Sequence, residues 1–271
     1  MITFAMIAAM TAASRKRSTE SRYINVILAL SMMIVACTST MAATEPTEQQ
    51  PAFAVLLFSK TGGFRHDSIR AGIAAIKDLG DHHGLRVDAT EDATVFTDEG
   101  LAKYHVVVFL NTTGDVLDSS EKAAFERFIR RGRGFVGIHS ATDTEYGWPW
   151  YGRLVGAYFR KHPAIQPATL KVADQTHAST KHLPAEWTRT DEWYDFRDDP
   201  SPRVNVLIRI DETTYSGGTM GASHPMAWWH EYEGGRAWYT ALGHTTESYK
   251  EPEFLGHLLG GILWAAGLTL E

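Results

Sequence analysis

One stretch constrains this chain more than any other: Gly134-Phe-Val-Gly-Ile-His-Ser-Ala-Thr-Asp-Thr144. Phe135 to Ile138 is an apolar run behind the basic segment Arg130-Arg-Gly-Arg133, and it stops abruptly at His139-Ser140. An apolar run bounded by glycine and ending in polar side chains reads as a buried parallel strand followed by a tight turn. Sheets of that kind take their ligands outside the carboxyl ends of the strands. His139, Ser140 and Asp143 are therefore the first places to look for chemistry. The plain alternative is that His139 only caps the strand through a backbone hydrogen bond.

The residues before this stretch repeat the same unit. Ala54 to Phe58 predicts a first strand, followed by the loop Lys60-Thr-Gly-Gly-Phe-Arg-His-Asp67. Asp67 is placed to cap a helix from Ser68 to about His82, whose Ile69, Ile73, Ile76 and Leu79 share one face. Leu85 to Ala89 and His105 to Leu110 predict two more strands, with a short helix at Asp98 to Lys103 between them. Asp118-Ser-Ser-Glu121 can form a capping box for the helix that carries Phe125, Phe128 and Ile129. This alternation predicts βαβ units and a doubly wound, mostly parallel sheet.

After Thr144 the pattern loosens into a β-rich half. Strands are expected at Ala168 to Val172, Thr190 to Phe196 and Val204 to Ile210. Met226 to Tyr232 and Arg236 to Ala241 flank the hairpin signal Glu233-Gly-Gly235, and Phe254 to Ala266 closes the chain as an apolar helix. No repeat or linker divides residues 52–271, which are read as one domain.

Residues 1–36 read as an export signal: Arg15-Lys-Arg17 and Arg22 precede the short apolar core Tyr23 to Ala36. Ile34-Val-Ala-Cys37 resembles a bacterial lipobox, which would make Cys37 a lipidation site, residues 37–51 a polar tether, and the protein a periplasmic or cell-envelope lipoprotein. Ordinary cleavage near Thr40-Met-Ala42 is the alternative. Cys37 is the only cysteine, so the domain has neither a disulfide framework nor a thiol nucleophile. Residues 1–36 hold four Lys/Arg and one Glu, so 22 of 26 basic and 31 of 32 acidic residues lie downstream, a net charge near −9. No basic stripe stands out, which argues against nucleic acid as a partner.

The Gly-Gly turn after the first strand puts Arg65 and His66 on the same rim as His139, and the third strand delivers Asn111 there. Neither GxGxxG nor a Walker spacing is present. Strand, sharp turn and helix is the layout of a nucleophile elbow, yet the elbow residue is His139. Ser140 could be offered as a nucleophile, but neighbouring side chains at a strand end point apart, so His139 is badly placed to be its base.

Taken together, the segments GGFRHDSI (62–69), TEDATVFTDEGLAKYHVVVFLNTTGD (90–115), GFVGIHSATDT (134–144), WPWYGRLVGAYF (148–159) with His162-Pro163, DEWYDF (191–196) and HPMAWWHEYEGGRAWYTALGH (224–244) resemble the ThuA-like, trehalose-utilisation family. The resemblance runs in order from about Ala54 to Gly267. It implies a class I glutamine amidotransferase-like, flavodoxin-like α/β fold and a link to disaccharide and keto-sugar metabolism. In amidotransferases the elbow carries Cys; with His139 there, ammonia release from glutamine is disfavoured.

One of Asp191 and Glu192 must face inward by the two-residue period of a strand, and His244 ends the last strand. Three histidines (His66, His139, His244) with Glu192 and Asp143 on one rim suit general acid–base work on a sugar, of hydrolase or isomerase type. They equally suit a divalent metal such as zinc, with His139 and His244 as candidate ligands. Trp148, Trp150, Trp193 and Trp228 are expected to wall the cleft and stack on a sugar ring. His162 reads as a turn residue and His230 as part of a solvated face. Two other readings use the same residues: a non-catalytic, lipid-tethered carbohydrate-binding module, and an accessory subunit for a sugar oxidoreductase.

Overall fold

Strand and helix alternate through the first half: β1 (Phe53–Phe58), α1 (Ile69–His83), β2 (Leu85–Thr90), α2 (Asp98–Ala102), β3 (Val106–Leu110), α3 (Ser119–Arg130), β4 (Gly134–Ile138) and α4 (Pro149–Val155). The second half is β5 (Phe159–Lys161), β6 (Gln166–Val172), β7 (Glu186–Asp191), β8 (Asp195–Phe196), β9 (Asn205–Ile210), β10 (Pro225–Tyr232), β11 (Gly235–Thr240) and α5 (Pro252–Ala266). The computed structural model describes residues 53–268, so the predicted export segment and Cys37 lie outside it. Among the described residues no helix is long and apolar enough to cross a membrane.

Nine strands form one sheet in the order β2-β1-β3-β4-β11-β10-β9-β6-β7. From β2 to β11 every neighbouring pair is parallel. From β11 to β7 every pair is antiparallel. The expectation of a mostly parallel sheet therefore holds for the first five strands only, and the whole sheet is mixed. Burial explains the division. β3 and β4 are buried at every position, because helices cover both faces. Phe109 meets Phe125 of α3 and Tyr151 of α4 on one side, while its neighbour Leu110 lies against Gly72 of α1 on the other. β7 instead alternates exposed and buried residues, the pattern of an antiparallel strand with one wet face.

Local chemistry fixes the remaining elements. The capping box at α3 forms as expected: Asp118 accepts from the N–H groups of Ser120 and Glu121, and Glu121 accepts from the Asp118 N–H. Glu233 and Gly234 both take positive φ (48° and 91°), which the two-residue turn between β10 and β11 requires. Two expectations are corrected. Ser68, not Asp67, precedes α1, and its hydroxyl bonds to the Gly243 carbonyl rather than to the helix. The segment expected as one strand from Thr190 to Phe196 breaks after Asp191, and β8 pairs with β5 in a small separate sheet. That break is what turns Glu192 toward the site.

Candidate functional site

β1, β3, β4 and β11 are parallel neighbours, so the residues after each emerge on one edge of the sheet. His66 follows β1, Asn111 follows β3, His139 follows β4, and His244 follows β11. His139 adopts φ 50°, a left-handed conformation that a residue with a Cβ enters only at a cost. It is the turn residue between β4 and a short 3-10 helix, His139–Asp143. Packing and hydrogen bonding hold it there. The ring is fully buried, lies 4.3 Å from the Tyr194 ring, and its Nδ1 is 2.8 Å from the Ala241 carbonyl. A carbonyl only accepts, so Nδ1 carries the hydrogen and Nε2 is left facing the cleft.

Three further groups meet that nitrogen. Nε2 of His139 is 3.2 Å from His244 Nδ1 and 3.4 Å from Glu192 Oε2, and His244 Nδ1 is 3.1 Å from the same carboxylate oxygen. The His66 ring stands edge-on to both, 4.8 Å from His139 and 5.1 Å from His244. One donor atom from each of His66, His139, Glu192 and His244 falls within 4.8 Å of all the others. Together with Phe64, Asp143, Phe159, His162 and Tyr194, three of these residues line a cleft of about 320 Å³; His139 is fully buried and does not line it, but touches Glu192 and His244, which do.

The electrostatics follow from burial and from this crowding. Burial pushes the His66 pKa down to about 2, helped by the neighbouring His139 and His244, so its imidazole is neutral. Burial alone would raise Glu192, but the hydrogen bonds and charges of His139 and His244 outweigh it and hold the carboxyl well below its ordinary value. His244 moves the other way: burial lowers it, and Glu192, Asp191 and Asp67 more than restore it, leaving it raised. Asp143 is raised by burial, although Tyr146 donates a 2.6 Å hydrogen bond to it.

Beneath the cleft, Asp191 fixes the loop that carries His244. It accepts from the Gly243 N–H at 2.9 Å and the His244 N–H at 3.1 Å, and pairs with buried Arg189 at 3.2 Å. Asn111, expected at the substrate, braces this loop instead: its amide donates to Ser68 Oγ and to the Gly243 carbonyl, and it is fully buried. Ser140 Oγ lies 3.4 Å from His66 Nδ1 and makes no contact with the His139 base, so no Ser140–His139 pair forms.

Several residues stand elsewhere than expected. Arg65 turns outward to a two-pronged pair with Glu91 and does not line the cleft. None of the four tryptophans lines it either. Trp148 and Trp150 stack on each other over α3, with N–H groups bonded to Glu126 and Glu233. Trp193 donates to the Gln166 carbonyl and Trp228 to the Val155 carbonyl, both fully buried. A large ring with its N–H satisfied is worth most inside the core. The cleft's aromatic surface comes from Phe64, 66% exposed, with Phe159 and Tyr194.

Tyr194 was legible: it is two residues from Glu192, hence on the same side of an extended chain, whereas Trp193 points away. His162 faces the cleft, its Nδ1 2.9 Å from Glu192 Oε1, while also turning onto the Pro163 carbonyl. His230 is buried, not solvated, with Nε2 3.0 Å from the Arg153 carbonyl.

The ThuA family, described as trehalose utilisation, matches residues 54–265. No curated protein sequence matches the chain. Among solved structures, a ThuA-like protein from Bacteroides uniformis is similar with a TM-score of 0.69 and 24% identity, covering 80% of this chain and 92% of that one. A second, from Parabacteroides merdae, gives 0.68 and 22%, covering 82% and 92%. A β-galactosidase from Bacillus circulans gives 0.53 and 14% over 79% of this chain and 31% of that one. At these identities the likenesses establish an α/β fold with a large mixed sheet.

Proposed function

The chain belongs to the ThuA, trehalose-utilisation, family, and from that premise we propose that it performs acid–base chemistry, hydrolytic or isomerising, on a disaccharide or keto-sugar. The observation that carries this reading is the convergence of His66, His139, Glu192 and His244 beside a cleft with an aromatic wall and the half-buried acid Asp143. A sugar ring laid against Phe64 and Phe159 would present its hydroxyls to polar groups whose proton affinities differ. Asp143, raised by burial, keeps its proton longer than an ordinary carboxyl and suits a general acid. Glu192, held ionised, and the imidazoles suit the accepting side. The parallel order β2-β1-β3-β4 with an elbow after β4 supports kinship with class I glutamine amidotransferases. With an imidazole where those enzymes carry a thiol, the reading excludes glutaminase activity.

Export and lipid attachment at Cys37 belong to the same proposal and rest on the Ile34-Val-Ala-Cys37 sequence and the tether to Pro51. One experiment addresses both parts. The protein is made in an exporting bacterium, fractionated, and assayed against disaccharides and their 3-keto forms with products followed by chromatography. Turnover of at least one sugar is expected in the membrane fraction, moving to the soluble fraction in Cys37→Ala. Absence of any turnover or sugar binding sinks the functional reading, and identical distribution of the two proteins sinks the anchor.

A further inference from the structure

We infer that His139 Nε2, His244 Nδ1 and Glu192 Oε2, with His66 as fourth donor, form a binding site for one zinc-class divalent cation. The site is argued from geometry and does not depend on which sugar is the substrate. A tetrahedral ion with bonds of about 2.0–2.1 Å holds its ligand atoms roughly 3.3–3.4 Å apart. The three separations here are 3.2, 3.4 and 3.1 Å.

The Ala241 carbonyl takes the hydrogen on His139 Nδ1, so Nε2 is the ring nitrogen turned toward Glu192 and His244. His244 Nδ1 has one hydrogen to give and faces both. A cation seated just off the plane of the triangle meets all three at once. The outer contacts are those that orient metal ligands: a backbone carbonyl behind His139, the His162 ring 2.9 Å from the other oxygen of Glu192, and Asp191 on the backbone of His244. Nitrogen and carboxylate donors without a thiolate favour zinc over copper(I).

The second acidic cluster, Asp195, Glu212 and His224, lacks this signature. His224 lies between two acceptors, Glu212 Oε1 and the Tyr194 carbonyl, each at 2.8 Å, and Met220 and Thr219 donate N–H groups to the two carboxylates. Its groups satisfy one another without an ion.

The test is metal uptake by the full chain. The protein is stripped with a chelator, dialysed, and titrated with zinc, with bound metal measured by elemental analysis. Cobalt(II), added separately, reports the coordination geometry through its visible absorption. About one equivalent of zinc is expected, with the intense absorption of four-coordinate cobalt. His244→Asn and Glu192→Gln should each abolish stoichiometric uptake, and His162→Ala should weaken affinity by roughly 10–100-fold. Circular dichroism establishes that each variant is folded, and His162→Ala, which leaves every ligand in place, keeps the test informative if another variant unfolds. Folded wild-type protein that takes up no metal, or variants that bind as wild type does, would overturn the site. Failure of the sugar screen would leave this measurement untouched.

Discussion

At the scale of single residues, the site is organised by His139, the turn residue that follows β4. His139 sits at φ 50°, and its strain is held in place by a carbonyl behind it and Tyr194 beside it. Asp191 does comparable service for His244 from below. It is fully buried, opposed by a buried arginine, and holds two backbone N–H groups of the His244 loop. Removing one partner of a buried ion pair leaves the other uncompensated and costs about 3–5 kcal/mol, far more than an exposed pair. Asp191→Ala is accordingly expected to lower the melting temperature by roughly 10 °C in a thermal scan followed by circular dichroism. A change of less than about 2 °C would show that Arg189 finds its compensation in Glu251, 3.1 Å away, and that Asp191 is not the brace.

At the scale of elements, the parallel half was legible because burial on both faces leaves continuous apolar runs, and caps and glycines mark their ends. The antiparallel half was harder to read. Short strands there draw on long-range partners: β6 pairs with both β7 and β9, and neither register is encoded locally. The break between Asp191 and β8, which aims Glu192, has no turn residue to announce it. The tryptophans misled for a related reason, since an aromatic suits a sugar face and a core equally and composition cannot separate them.

α5 shows how close packing was hidden in an apolar pattern. A Cβ at Gly261 would lie 2.5 Å from the Trp238 ring on β11. Alanine is the better helix former by about 1 kcal/mol, but overpacking a core costs about 1–3 kcal/mol. With a contact this short the packing term wins, and Gly261→Ala is expected to unfold at lower urea concentration with an unchanged slope. A midpoint at or above wild type would mean that α5 shifts freely on the sheet.

At the scale of the whole molecule, a rigid sheet edge supplies His139 and His244, and the irregular second half supplies Glu192, His162 and Tyr194. A site divided in this way is made only when both halves have folded. The proposed anchor at Cys37 would hold this cleft near the membrane, where the net negative domain has no electrostatic attraction of its own to an anionic surface. The proposed function makes His139 part of a working catalytic site. Its most direct test sets the turnover and sugar affinity of His139→Ala beside those of the wild-type chain, on whichever sugar is turned over. A kcat lower by roughly 10²–10⁴ is expected, with an affinity within about tenfold of wild type. Wild-type turnover in the variant, or a wild-type chain that binds sugar tightly and converts none, would contradict it, the second outcome leaving a carbohydrate-binding module.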